Sequence, residues 1–435
     1  MKIVRASRLF ILMPGLILAL LLFTVVPSNV MRTGGTFPSL VPSAAAQTTP
    51  QTTVQETTLN GTTTSVAATA AAPSGSQLAV QTVPGVTGTI TEFGLSTGAL
   101  PQLMAAAPDG SIFYAQAGSN KIGQIAAPSS AGTGKLTVKE FTIPTAGSFP
   151  EGIMVAADGT VWFTEQNAHQ IAKLDPQAGV VTEYHTPTAN SGPVGITSGP
   201  DNNIWFTEAF ANKVGVLDPG TGKMQDFAIP TPVSAPLYIT SGPDGALWFV
   251  GVRSHKLGRI DPTSHAIVEF PLPTAQAGPT SLVVGPDGAL WVTEFNADKI
   301  ARFDVKAGKF TDEIPVASHK NGPRSGPGIL VNGTDGNIWF TETFGNQIGR
   351  LNPATKQVQE FAAPTTSTQA VSSGTVTSGD TVKQAAFDAN MNLPAGQTLA
   401  PTRGPGGIVF SQDGTIWFTA IFTHSVARLV LNSIK

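Results

Sequence analysis

From about residue 88 to the C-terminus, short runs in which apolar residues alternate with small or polar ones are separated by Gly, Pro, Asp and Asn. Alternation with a period of two predicts β-strands, and no stretch carries a sustained 3.6-residue apolar period that would predict a helix. One phrase recurs: Trp162-Phe163-Thr164-Glu165, Trp205-Phe206-Thr207-Glu208, Trp291-Val292-Thr293-Glu294 and Trp339-Phe340-Thr341-Glu342. Trp248-Phe249 and Trp417-Phe418-Thr419 are weaker copies, and Phe113 holds the same slot in a seventh. The steps from Trp162 to Trp205, to Trp248 and to Trp291 are each 43 residues, and all 6 tryptophans fall in this slot. Four residues before each aromatic stands an Asp (Asp158, Asp201 and Asp244, for example), followed by Gly in every copy but Asp201-Asn202, which is hairpin-turn chemistry. Eight residues before each Asp stands a proline.

One unit divides into four strands, over 194–198, 204–208, 213–217 and 224–227. Four short strands per repeat with an aromatic signature describe a propeller blade, so the chain is expected to be all-β, a seven-bladed β-propeller of four-stranded blades. The last unit contains only three strands, while a spare fourth-strand phrase, Thr91-Glu92-Phe93, precedes the first. An N-terminal strand should therefore complete the last blade and remove an open sheet edge. A small residue follows the third-strand apolar position in every unit, as at Gly215 and Ala301, and an aromatic from the Trp slot is expected to press on it.

Composition narrows the options. With 46 Gly, 34 Pro and only 12% charged residues, coiled coils and mostly helical folds are excluded. A net charge of −3 offers no basic field for nucleic acid, and 0 Cys removes disulfides and thiolate chemistry, leaving O and N ligands. Lys2, Arg5 and Arg8 precede an apolar run over 9–26, so residues 1–46 are expected to be a signal peptide or an N-terminal membrane anchor, the one membrane contact. Everything after it is expected outside the cytoplasm, secreted or anchored. Residues 47–85, rich in Thr and Ala, are expected to be a disordered stalk, followed by the propeller over 86–435 with an insertion at about 362–400.

The repeated unit, spelled by Gly192-Pro193-Val194-Gly195-Ile196-Thr197 and Ile204-Trp205-Phe206-Thr207-Glu208, resembles the streptogramin B lyases (virginiamycin B lyases), which are seven-bladed propellers. The resemblance implies two histidines, each directly after a strand-opening proline and one of them a general base, with glutamates nearby and Mg²⁺ polarising the substrate. The seven post-proline residues here are Gln102, Glu151, Val194, Leu237, Thr280, Gly328 and Gly406, with no histidine among them. Gly328 and Gly406 cannot take or return a proton, so the family's catalytic residues do not carry over.

Other groups remain. Glu151 is the one ionisable post-proline residue and, with His319, is the candidate base; Gln102, Lys320 and Arg324 are candidate ligand contacts, the last two in the loop 316–325 beside His319. Glu165, Glu208, Glu294 and Glu342 end second strands on the same face, where ring symmetry could gather them around Mg²⁺ or where each could pair within its own hairpin, Glu208 with Lys213 and Glu294 with Lys299. His169, His255 and His424 share a slot with Asn120, Asn212, Asp298 and Asn346 and are expected in left-handed turns. The expected protein is a monomer whose top-face funnel binds a small molecule, a peptide or a surface polymer. A divergent Mg²⁺-dependent lyase is the alternative.

Overall fold

The computed structural model describes residues 52–70, 81–127, 135–316, 324–363, 404–421 and 423–432. The expected signal or anchor at 1–46, His319, Lys320 and nearly all of the 362–400 insertion lie outside them. Among the described residues there is no helix, and the strands form seven four-stranded antiparallel blades around an axis. Blades 1 to 6 span residues 101–142, 150–185, 193–228, 236–271, 279–315 and 327–362. Blade 7 takes three strands from 405–432 and its fourth from Gln81–Gly94, paired from Thr87↔Asn432 to Gly94↔Ser425. The expected N-terminal closure is therefore how the ring is sealed.

The recurrent phrase can be decoded residue by residue. The second strand of every blade is buried at each position, because it lies between neighbouring blades. In blades 2, 3, 4, 6 and 7 its Trp stacks on a fourth-strand aromatic, as in Trp162–Tyr184 at 5.8 Å and Trp339–Phe361 at 5.4 Å between ring centroids. In blades 3 to 6 the indole N–H donates to the Asp four residues earlier, at 2.9 Å for Trp248 and Asp244. That Asp caps the hairpin and holds the Trp, a second task beyond turn geometry.

The next residue faces the other way, since successive strand side chains alternate. Phe206 is paired with Gly215 across the strands, and a Cβ at Gly215 would overlap the Phe206 ring. Phe340 and Gly349 repeat the arrangement. A ring does press on the small slot, but it belongs to the residue after the Trp. Gly215→Leu should therefore overpack blade 3 and cost on the order of 1 to 3 kcal/mol; a urea midpoint equal to wild type would refute this packing.

The threonine stitches blades together. Thr207 Oγ1 accepts from the Gly195 N–H at 2.9 Å, where a bulge leaves that amide unpaired, and donates to the Leu237 carbonyl of the next blade. Thr164 does the same between Gly152 and Val194, and Thr419 between Gly407 and Gln102. Buried backbone groups at the axis thus find partners across blade boundaries.

The expectation of a disordered stalk fails over Val54–Ala70, which is a strand. Residues 54–60 pair with blade 1, 61–70 pair with the closing strand, and 68–70 also pair with blade 6. Thr52 reaches further, its hydroxyl accepting from the Val181 N–H of blade 2 at 3.3 Å. This belt lies against the outer edges of consecutive blades. Its threonines are β-branched and favour extended backbone, and ladder hydrogen bonds along already formed edges order it without deep apolar burial.

Candidate functional site

The proline opening each first strand lies opposite the residue ending the second, a glutamate in blades 2, 3, 5 and 6, as in Pro193↔Glu208 and Pro327↔Glu342, at the face where outer strands return to the axis. The slot after the second strand turns back through left-handed residues, with φ of 57° at His169, 55° at His255 and 51° at His424, as the turn reading expects. These side chains also act as acceptors. His169 Nδ1 accepts from Gly192 N–H at 3.2 Å, Asn212 Oδ1 from Ser234 N–H at 2.6 Å and Asp298 Oδ1 from Gly326 N–H at 2.9 Å, each pinning the loop into the next blade. Asn, Asp and neutral His share the slot because each places an acceptor atom at the same reach. Burial lowers the pKa of His169 and His255, keeping the imidazoles in the neutral form this bond requires.

The four strand-end glutamates are fully buried. They do not gather: each stays in its own blade, and among the described residues no three His, Asp or Glu side chains come together as metal ligands. Nor do they take the lysines. Lys213 Nζ pairs with Asp226 at 2.8 Å and Lys299 Nζ with Glu313 at 3.3 Å, both acids on the fourth strand, so the expected Glu208–Lys213 and Glu294–Lys299 pairs do not form. Thr188 and Thr274 hydroxyls come in from the preceding loop and help fix each lysine on the outer acid. Burial, with Asp226 adding like charge, pushes Glu208 up to about 8. Burial likewise pushes Glu165 up to about 9 beside Glu183, and Glu294 to about 7 beside Glu313. Glu342 is raised by burial and by Glu360, while Ser325 Oγ donates to it at 2.7 Å.

Around the axis the post-proline residues form a ring. Gln102, Thr280, Gly328 and Gly406 line a recess of about 30 Å³ whose walls are Leu103, Phe295, Ile329 and Ile421. Gln102 Nε2 donates to its neighbour Leu100 O at 3.3 Å. Arg324 sits at the rim, its guanidinium donating to the carbonyl of Phe295 at 3.2 Å and lying 3.5 Å from Asp298. Glu151 occupies the opposite part of the ring. It is 0% exposed, neither carboxyl oxygen has a hydrogen-bond partner, and burial pushes it up to about 8. Two residues that sequence reasoning passed over belong with it. Tyr238 has an unpartnered hydroxyl whose pKa is raised by burial and by Glu151, and Gln166 is 0% exposed with both amide atoms unpartnered. Gln166 directly follows a Trp-Phe-Thr-Glu phrase, and Tyr238 is two residues after a strand-opening proline; those positions were the available signals.

The comparisons with known proteins agree with this architecture. No curated protein matches the chain. Among solved structures, a streptogramin B lyase is 31% identical, with a TM-score of 0.64 over 79% of this chain and 97% of that one. Staphylococcus aureus virginiamycin B lyase is 29% identical, with a TM-score of 0.63 over 79% and 99%. A catalytically inactive histidine-to-alanine variant of the S. aureus enzyme with quinupristin gives the same figures, 29% and 0.63. The family model described as the virginiamycin B lyase family matches residues 82–221 and 218–382. By that match, which takes in most of the ring, the chain belongs to the virginiamycin B lyase family.

Proposed function

We propose that this is an exported binding propeller, whose axial recess takes an apolar portion of a small molecule, peptide or surface polymer, and that it does not perform the family's elimination. The observation that carries this reading is the post-proline ring. Four of its seven members, Gln102, Thr280, Gly328 and Gly406, border the recess, and none of the four can exchange a proton near neutral pH. The walls offer Phe295, Ile421, Leu103 and Ile329, which suit apolar surface, and Thr280 and Gln102 supply a few polar contacts. The charged n-region and apolar run at the N-terminus support export.

The rival reading, a divergent Mg²⁺-dependent lyase, draws on the family and on Glu151. The residues do not fit a Mg²⁺ site: the four buried glutamates stay one per blade, and no metal-ligating trio exists among the described residues. The test is incubation with a cyclic streptogramin B depsipeptide and Mg²⁺, following ring opening by chromatography and mass. Elimination leaves the mass unchanged, whereas hydrolysis adds water. The binding reading expects no opened product; metal-dependent, mass-neutral opening that is lost in Glu151→Gln would replace it with the lyase.

A further inference from the structure

Glu151 is the one carboxyl in a ring otherwise made of neutral residues, with Val194 next to it at 0% exposure and Leu237 beyond at 1%. Keeping a carboxyl there is costly unless something compensates it. No side chain does: both its oxygens, the Tyr238 hydroxyl and both amide atoms of Gln166 lack hydrogen-bond partners. Glu151 and Tyr238 are close enough for the carboxylate to raise the phenol pKa.

Gln166 is brought to the same place by the repeat. Its counterparts are Thr343 and Ile421, one residue past the second strand of blades 6 and 7. Thr343 Oγ1 lies 3.1 Å from where a side chain on Gly328 would begin, and Ile421 Cδ1 2.6 Å from where one on Gly406 would begin. The residue after the second strand therefore abuts the post-proline residue of its own blade, and in blade 2 that pair is Gln166 and Glu151. Tyr238 approaches from blade 4. Its counterparts on the innermost strands of blades 2, 3 and 7 are Gly152, Gly195 and Gly407, where a Cβ would run into the backbone of the next blade, so blade 4 alone of these four carries a large side chain in the slot.

We propose that Glu151, Gln166 and Tyr238 form a buried axial site for one monovalent cation, with Glu151 as its counter-charge. The donor set is carboxylate, amide carbonyl and phenol oxygen, which is hard-cation chemistry. A cation meets the carboxylate, amide carbonyl and phenol oxygens together, whereas a proton on Glu151 only adds one donor to those that Gln166 and Tyr238 already carry. Its charge follows from the count of anions. A divalent ion against one carboxylate would leave a net positive charge in an apolar ring, whereas a monovalent ion leaves none. The site lies apart from the recess and does not depend on what the recess binds.

The test is thermal unfolding of the full chain at pH 8 and constant ionic strength, with tetramethylammonium chloride replaced stepwise by sodium or potassium chloride. Ligand binding to the folded state raises the midpoint in proportion to the logarithm of concentration above Kd. A saturable rise with sodium or potassium is expected, lost in Glu151→Gln and displaced to higher salt in Tyr238→Phe and Gln166→Ala. Equal midpoints in all three salts, a response only to Mg²⁺ or Ca²⁺, or a sodium response that survives in Glu151→Gln would overturn the site. Should Glu151→Gln fail to fold, unchanged half-saturation in both Tyr238→Phe and Gln166→Ala does so instead.

Discussion

A chain beginning at residue 95 should fail to form a stable monomer, whereas one beginning at residue 71, which keeps the closing strand and loses the belt, should fold with a lowered melting temperature. The closing strand supplies the fourth strand of blade 7 through an eight-residue register from Thr87 to Gly94. Ile90 and Phe93 on it are both 0% exposed, and Phe93 stacks on Trp417 at 6.3 Å. Burying each such side chain is worth about 1.5 to 3 kcal/mol, so these two alone approach the 5 to 15 kcal/mol that separates a typical folded domain from its unfolded chain. Their loss would also expose the edge of the strand Ser425–Asn432, inviting pairing between copies. The belt contributes differently, through backbone pairing along edges that are already formed, with mostly exposed side chains. Size-exclusion chromatography and thermal unfolding of the two truncations check this. A monomeric chain from residue 95 with the full-length melting temperature would show that the ring does not need its N-terminal clasp.

The ring was legible because each blade repeats the same local chemistry: Asp-Gly turns, a proline at the axis and a period-two strand on either side. What the period gives is a face, and there the reading slipped by one residue. Trp205 lies opposite Val216 and Phe206 opposite Gly215, so the alternation already assigned the pressing ring to Phe206. The belt had no such signal. A strand polar on both faces carries no apolar alternation, and its order comes from partners far along the chain. The lysines show a related limit, since Lys213 is the true register neighbour of Glu208 but its long side chain reaches Asp226 and Thr188. At the axis, Glu151 stood out as the one charge in its slot. Gln166 and Tyr238 did not, because their meeting with it joins blades 2 and 4 and is set by ring closure.

The protein should lose stability as pH rises from 7 to 9, at fixed sodium concentration, and Glu342→Gln should remove part of that loss. A carboxyl whose folded pKa lies above its unfolded value binds more protons folded than unfolded between the two. The stability it contributes is therefore present near the unfolded value, about 4.5, and is lost as pH climbs through the folded one. Glu208, pushed up to about 8, and Glu342, raised by burial and by Glu360, both act in this direction. His169 and His255 work the opposite way, but with pKa values lowered from 6.5 their titration is complete before pH 7. Glu342 is the sharper probe because of its neighbours. Where blades 3 and 5 place Lys213 and Lys299 opposite the strand-end glutamate, blade 6 places Gln347. Arg324 lies 3.5 Å from Asp298, which itself adds negative charge near Glu342. A proton is then what makes this site tolerable. At about 1.4 kcal/mol per pKa unit, Glu208 alone, with its value of about 8, should account for roughly 1 kcal/mol of loss between pH 7 and 9. Glutamine keeps the shape of the protonated acid and its contact with Ser325 without ever ionising. Glu342→Gln should match wild type at pH 5.5 and exceed it at pH 8.5. Midpoints that rise or stay level from pH 7 to 9 in wild type, or curves that run parallel in the two proteins, would mean that Glu342 is ionised in the folded state and held by partners other than a proton.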